Sequence, residues 1–460
     1  MRQRVQKALE TASRRPEVQS CEVYGVSSTR VPVSFENNKL KSIVTEQTAS
    51  LAMRVVAGGR LGFSFTTKVD DPEALVENAL RMALYGDEAR FRFAKMPGAK
   101  ATGGSATGEA AGFAEPAIFD PTVAGLSLEE MVDTGRGVVE ALSAFHPDVL
   151  AGARVSRDER EVFVANSEGL EAGYRKTGHS VDVGADLTEG QNMLQVYDGA
   201  VSGRLLDQDT VSGLQERVLD SLRRGRTNLP LKTGKYRVVL SPWAVTDLLI
   251  PAQACLNGKA VEKGFSPWKG SAGEPLMADS ITLEDDGTLD YGPGSSPFDA
   301  EGVARRRLPL IEKGVLRNFY MDLNTAAALG CQPTGNASRP SPSSPPQPGL
   351  SNLVMAPGGS SLRELLAEAE GGVFVDLLMG TFAGNPYGGV VTGNIMLGFK
   401  IENGQLAGRV KDAMIAMDTF SLLKDGVIGL TLERRWVEGM NGRALLPYVA
   451  LDGVSISVKE

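Results

Sequence analysis

Residues 49–67 read ASLAMRVVAGGRLGFSFTT: two runs rich in valine, leucine and phenylalanine on either side of Gly58–Gly59. Glycine accepts φ > 0 at no steric cost, and two such residues between apolar runs predict a tight β-hairpin. The same alternation extends upstream through Ser20–Ser28, Val31–Glu36 and Lys39–Thr45, so an antiparallel sheet opens the chain. Apolar residues at spacings of three and four give helices over 4–15, Pro72–Tyr85, Leu128–Phe145 and Asp209–Arg223. Asp70 or Asp71 can cap the second of these with Pro72 in its first turn, and Ser127 with Glu130 suits a capping box on the third. Further strands are predicted at Val149–Arg157, Glu161–Asn166, Leu170–Ala185 and Gln191–Ser202. The pattern gives an α+β fold: an N-terminal domain, 1–230, with an antiparallel sheet covered by helices.

A C-terminal domain, 231–460, opens with the buried strand Tyr236–Leu240. Pro242–Lys263 has helical spacing interrupted by Pro251, and Ser361–Ala369 is the one further helix predicted. Between them lie short runs separated by glycine turns, the mark of a β-rich barrel-like or sandwich domain. Residues 339–350, RPSPSSPPQPGL, contain five prolines, predicting an irregular surface loop. Residues 97–118 are rich in Gly, Ala, Ser and Thr and predict a linker.

The 460 residues carry a net charge of −8, with 42% apolar and 23% charged residues, ordinary for a globular chain of more than one domain. The basic clusters, Arg223–Arg226 and Arg305–Arg307, are short. Nucleic-acid binding needs a concentrated positive face, so no such partner is expected. No apolar stretch is long enough for a membrane span, and the charged N-terminus lacks the apolar core of a signal peptide. Cys21, Cys255 and Cys331 are widely spaced and odd in number, neither a disulfide framework nor a zinc knuckle. A reducing cytoplasm is the expected compartment.

Side chains for chemistry are few. The histidines are His146 and His179, far apart, so a two-histidine helical zinc site cannot form. Cys255 with Lys259 one helical turn on raises a thiol nucleophile, although a buried structural cysteine fits the apolar surroundings better. Asp285–Asp286 read as a solvated turn, because the spaced oxygen ligands of a calcium loop are missing. The glycine-rich strings at 103–108 and 384–394 lack the pattern of a phosphate loop.

The order of motifs is specific. Residues 35–66 run from FENNKLKS to LAMRVVAGGRLGFSFT, 164–171 read VANSEGLE, and 299–320 read DAEGVARRRLPLIEKGVLRNFY. Residues 334–358 contain TGNASRPSP and LSNLVMAPG, 388–404 read GGVVTGNIMLGFKIENG, and 446–456 read LPYVALDGVSI. In this order over nearly the whole chain they resemble the TldD/PmbA family, once called modulators of DNA gyrase. The resemblance implies a metallopeptidase complex of two branches that pair as a heterodimer. TldD-type chains hold zinc through an H-E-x-x-x-H helix and a cysteine near the C-terminus, and TldE/PmbA-type chains share the fold without those ligands. Here the motif falls on LLIPAQACLNG, with Pro251 and Leu256 at the histidine positions, Ala252 at the glutamate and Asn441 at the cysteine. No catalytic residue, metal ligand or cofactor is therefore expected in this chain, and zinc is expected only in a TldD-type partner.

By resemblance, the complex cleaves unfolded or short peptides, including leader peptides and unstable antitoxins. This chain would be a pseudoenzyme subunit, inactive alone, lending half of a peptide channel. The loop 339–350 and the strand Val390–Ile401 are the expected channel walls, with Asn336, Arg339, Thr392 and Asn394 offering polar groups to an unfolded peptide substrate. Two alternatives remain open: a homodimeric peptide-binding or scaffold protein without peptidase activity, and an enzyme dependent on Cys255.

Overall fold

The computed structural model describes residues 1–97, 112–439 and 442–459. The GGSATG string and most of the predicted 97–118 linker lie outside these residues, as does Asn441. The opening hairpin forms as read: Glu46–Ala57 pairs with Arg60–Thr66, and Gly58 and Gly59 have φ of 58° and 75°.

The hairpin belongs to a seven-stranded antiparallel sheet. Two of its strands are longer than the sequence pattern suggests. Ser20–Glu36 and Val149–Asn166 are each continuous and run together from Glu22 opposite Asn166 to Phe35 opposite Ala153. Their polar middles look like breaks, but Arg30 stands opposite Asp158 in an unbroken ladder. Backbone pairing satisfies the chain whatever the side chains are.

Side chains alternate across this sheet, and the two faces have different fates. Cys21, Val23, Leu51, Met53 and Val55 pack under helices Arg2–Ser13 and Pro72–Ala83. Val31, Val33, Val155 and Val181 pack under Leu128–Ser143 and Gln208–Gly225. The helix starts are those the sequence marks: Asp71 accepts a hydrogen bond from the Ala74 N–H, and Ser127 with Glu130 forms a full capping box. The opposite face, with Glu22, Tyr24, Arg54, Asp158 and Arg160, turns toward the C-terminal half.

That half is organised around a closed five-stranded ring. In order round the ring run Gly234–Leu240, Val373–Met379, Val390–Glu402, Ala413–Asp418 and Gly442–Val458. Closure comes from the last strand, which pairs with Ala413–Asp418 on one side and with Gly234–Leu240 on the other. Val238, Val375, Ile415, Leu451 and Ile456 belong to its core, while Val239, Phe374, Phe399, Ile401 and Tyr448 join the core under the N-terminal helices. Each such side chain, fully buried, contributes about 1.5–3 kcal/mol, so the halves share one apolar seam.

Several expectations need correction. Pro242–Lys263 is three short helices, Pro242–Leu248, Ile250–Leu256 and Gly258–Glu262. Pro251 sits in the first turn of the second, where its missing N–H costs nothing. Ser361–Ala369 forms as Leu362–Glu368, but Leu323–Leu329 and Thr419–Asp425 are helices as well, each begun by an aspartate cap. Asp285 and Asp286 are buried at the end of strand Leu283–Asp286 rather than solvated. The proline-rich segment contains a two-residue strand, Gln347–Pro348, paired with Ala337–Ser338.

Candidate functional site

A cleft of about 980 Å³ opens between the polar face of the N-terminal sheet and the C-terminal half. The sheet supplies Tyr24, Ser28, Thr48, Ser50, Phe65 and Arg160. The helix Ile250–Leu256 supplies Ile250, Gln253 and Ala254, and the proline-rich segment supplies Arg339–Pro342 and Gln347–Ser351.

Beneath the cleft, charged side chains tie the two halves together. Arg54 Nη2 donates to both carboxylate oxygens of Glu22 at 2.8 Å, and its Nη1 donates to Glu301 Oε1 at 2.5 Å. Arg339 Nη2 lies 3.5 Å from Glu22 Oε1. The Arg54 guanidinium stands 5.2 Å from the rings of Phe91 and Phe93, and Arg339 4.8 Å from that of Tyr24. Two guanidinium groups thus meet two carboxylates in a buried setting, where such groups must be paired and hydrogen-bonded. Burial alone would lower the Arg54 pKa, but Glu22 and Glu301 outweigh it and hold it above its ordinary value. Arg339 has weaker compensation, and burial draws it down to about 10.

A second polar knot holds the segment before the proline-rich loop. The Asp285 carboxylate accepts from Asn336 Nδ2 at 2.6 Å, from the Ser351 N–H at 2.7 Å and from the Asn352 N–H at 3.0 Å. Asn336 is therefore a buried strut and unavailable to a ligand, contrary to the sequence expectation. Arg339 does line the cleft. Thr392 and Asn394 are exposed on a barrel stave and do not line it. Of the two expected channel walls, the structure puts the loop at the cleft and the strand in the barrel. Glu22, Arg54 and Glu301 were not foreseen: nothing in the local pattern distinguishes them from solvated charges.

The helix at the expected metal position borders the cleft, but Pro251, Ala252 and Leu256 are buried on its core side. Its cleft-facing groups are Ile250, Gln253 and Ala254. Cys255 is fully buried, and burial pushes its thiol up to about 12, far from the thiolate a nucleophile needs at neutral pH. His179 is buried, and burial draws it down to about 4.

Three matched segments span most of the chain. Residues 21–83 match domain 1 of the PmbA/TldA metallopeptidases, 121–222 their central domain and 233–458 their C-terminal domain. This chain belongs to the PmbA/TldD family. Metalloprotease PmbA of Escherichia coli O157:H7 is 26% identical, over 98% of this chain and 95% of its own length. A zinc metalloprotease TldD homolog of Saccharolobus solfataricus is 25% identical over 81% of this chain and 80% of its own. The crystal structure of TldE from Thermococcus kodakarensis superimposes with a TM-score of 0.88 at 22% identity, covering 99% of this chain and all of that one.

Membership raises the question of zinc. A catalytic zinc takes imidazole, thiolate or carboxylate ligands and a nearby general base. An isoleucine, a glutamine and an alanine on the cleft face of the helix offer neither. Among the described residues no three His, Cys, Asp or Glu side chains come together as a metal site. The donor set here does not fit the family's metal.

Proposed function

We propose that this chain is the TldE/PmbA-like, non-catalytic subunit of a two-chain metallopeptidase, with zinc and its general base supplied by a TldD-type partner. The observation that carries this reading is the helix Ile250–Leu256. By the sequence resemblance it takes the position of the family's metal motif, and it borders the cleft with Ile250, Gln253 and Ala254 turned to it. In this reading the chain's work is to hold an unfolded or short peptide extended. Phe65 and the prolines at 340, 342 and 348 offer apolar surface, and Ser338, Ser341 and Gln253 offer polar groups. Pre-setting an extended peptide lowers the entropy of reaching the reactive geometry, and that can be supplied without touching the scissile bond.

The test is to purify the chain alone and with a TldD-type chain, and to measure zinc content and digestion of an unfolded peptide. The chain alone should be zinc-free and inactive, and the pair active. Stoichiometric zinc on the isolated chain, with hydrolysis lost on chelation, overturns the reading. A stable homodimer that ignores the TldD-type chain points instead to the scaffold alternative.

A further inference from the structure

The charges of the cleft define a class of peptide, given that the cleft is a peptide site as proposed above. The chain has 56 acidic against 48 basic residues. Yet the described residues lining the cleft include Arg160, Arg339 and Arg443 and no aspartate or glutamate. Arg339 is committed to Glu22. Arg160 is exposed and has no ion-pair partner among the described residues. It stands opposite Lys176 across the sheet ladder. Arg443 spends one Nη on Glu438 at 2.8 Å, and its buried Nε has no partner.

A side recess of about 210 Å³ shares Ser28, Arg160 and Arg443 with the cleft and adds Arg30 and Lys176, together with Asp158 and Glu438. Lys176 Nζ donates to the Pro293 and Ser295 carbonyls at 2.9 and 3.0 Å. Burial, then Arg443 and Arg160, draw this ammonium down to about 7, against the pull of Asp158. The two guanidinium groups thus stand beside a buried ammonium, Arg160 with no ion-pair partner among the described residues and Arg443 with its Nε left over. Guanidinium groups in that condition bind carboxylates by charge-assisted hydrogen bonds, often two at once.

We propose that the cleft selects peptides presenting a carboxylate to Arg160 and Arg443. The carboxylate can come from an aspartate or glutamate side chain or from the peptide's own C-terminus, and the two sources separate experimentally. The probes are fluorescent ten-residue peptides of one sequence with a central Glu, Gln or Lys, each with a free or amidated C-terminus. Binding is read by anisotropy on the full chain, with its partner where one is needed. The Glu peptide should bind about fivefold to tenfold tighter than the Gln peptide at low salt, and the Lys peptide more weakly still. The margin should shrink at high salt, where the screening length falls. Persistence of the margin in amidated peptides assigns it to the side chain. A preference that appears only with a free C-terminus assigns it to the chain end.

Arg160→Gln combined with Arg443→Gln should erase the preference while circular dichroism stays unchanged. Equal binding of Glu, Gln and Lys peptides, or a preference that survives the double variant, overturns the inference and leaves the peptide-channel reading standing. Failure of every peptide to bind overturns that reading as well.

Discussion

Arg54→Met tests the join between the halves most directly. The guanidinium is the shared partner of Glu22 and Glu301, whose side chains are fully buried. Removing one member of a buried ionic set leaves an uncompensated charge and costs about 3–5 kcal/mol. Loss of the stacking on Phe91 and Phe93 adds up to about 2 kcal/mol. The expected destabilisation is therefore about 3–7 kcal/mol in urea unfolding. Trp243 reports on it, because its indole N–H donates to Asp198 across the same pair of halves. The loss must also depend on pH. Burial already raises the Glu301 pKa, with Arg54 opposing, so deleting the cation lets it rise further. A carboxyl whose folded pKa is raised favours the folded state while protonated and forfeits this as the pH climbs. The variant should thus be least impaired at mildly acidic pH and most impaired above neutrality. Adding Glu301→Gln should recover part of the loss, since Glu22 then keeps Arg339 as its buried partner and no carboxylate is left alone. A single-variant loss below about 1 kcal/mol, or one equal at acidic and alkaline pH, refutes the reasoning.

Thiol labelling of the native chain should modify Cys331, which is exposed, and spare the buried Cys21 and Cys255; labelling of Cys255 at neutral pH would contradict its raised pKa. Gly62→Ala places a Cβ 2.0 Å from the Ala79 carbonyl oxygen on the covering helix, so thermal unfolding should show a loss of about 2 kcal/mol or more, and an unchanged melting temperature would mean that the helix docks elsewhere. Affinity for the Glu peptide should weaken as the pH rises through about 7, where Lys176 loses its proton, while affinity for the Gln peptide stays flat; parallel curves would remove Lys176 from the field of the cleft.

Much of the fold was legible because its signals are local. The paired glycines at 58–59, the Asp71–Pro72 start and the Ser127 capping box each act within a few residues, and each forms as read. The site was legible only in part. In SCEVYGV the alternation sends Cys21 and Val23 to one face and Glu22 and Tyr24 to the other, the pattern of a solvated strand face. What buries Glu22 is a second polypeptide layer, including Arg339 from 317 positions away, and no local pattern contains that. Asp285 misleads in the same way, since its partners Asn336 and Ser351 arrive from distant loops. The metal-position helix shows a different limit. Whether Ala252 or Gln253 meets the cleft depends on helical phase, reset where the preceding helix stops at Leu248.

The ring of strands has a consequence for how the molecule is made. Val238 emerges from the ribosome early but finds its antiparallel neighbour only when Leu451 follows. Until then the nascent C-terminal half is an open trough with two bare edges, while the N-terminal sheet already has every strand it needs. Translation halted between those residues would release a chain with one finished layer and one sticky seam, a product prone to aggregate.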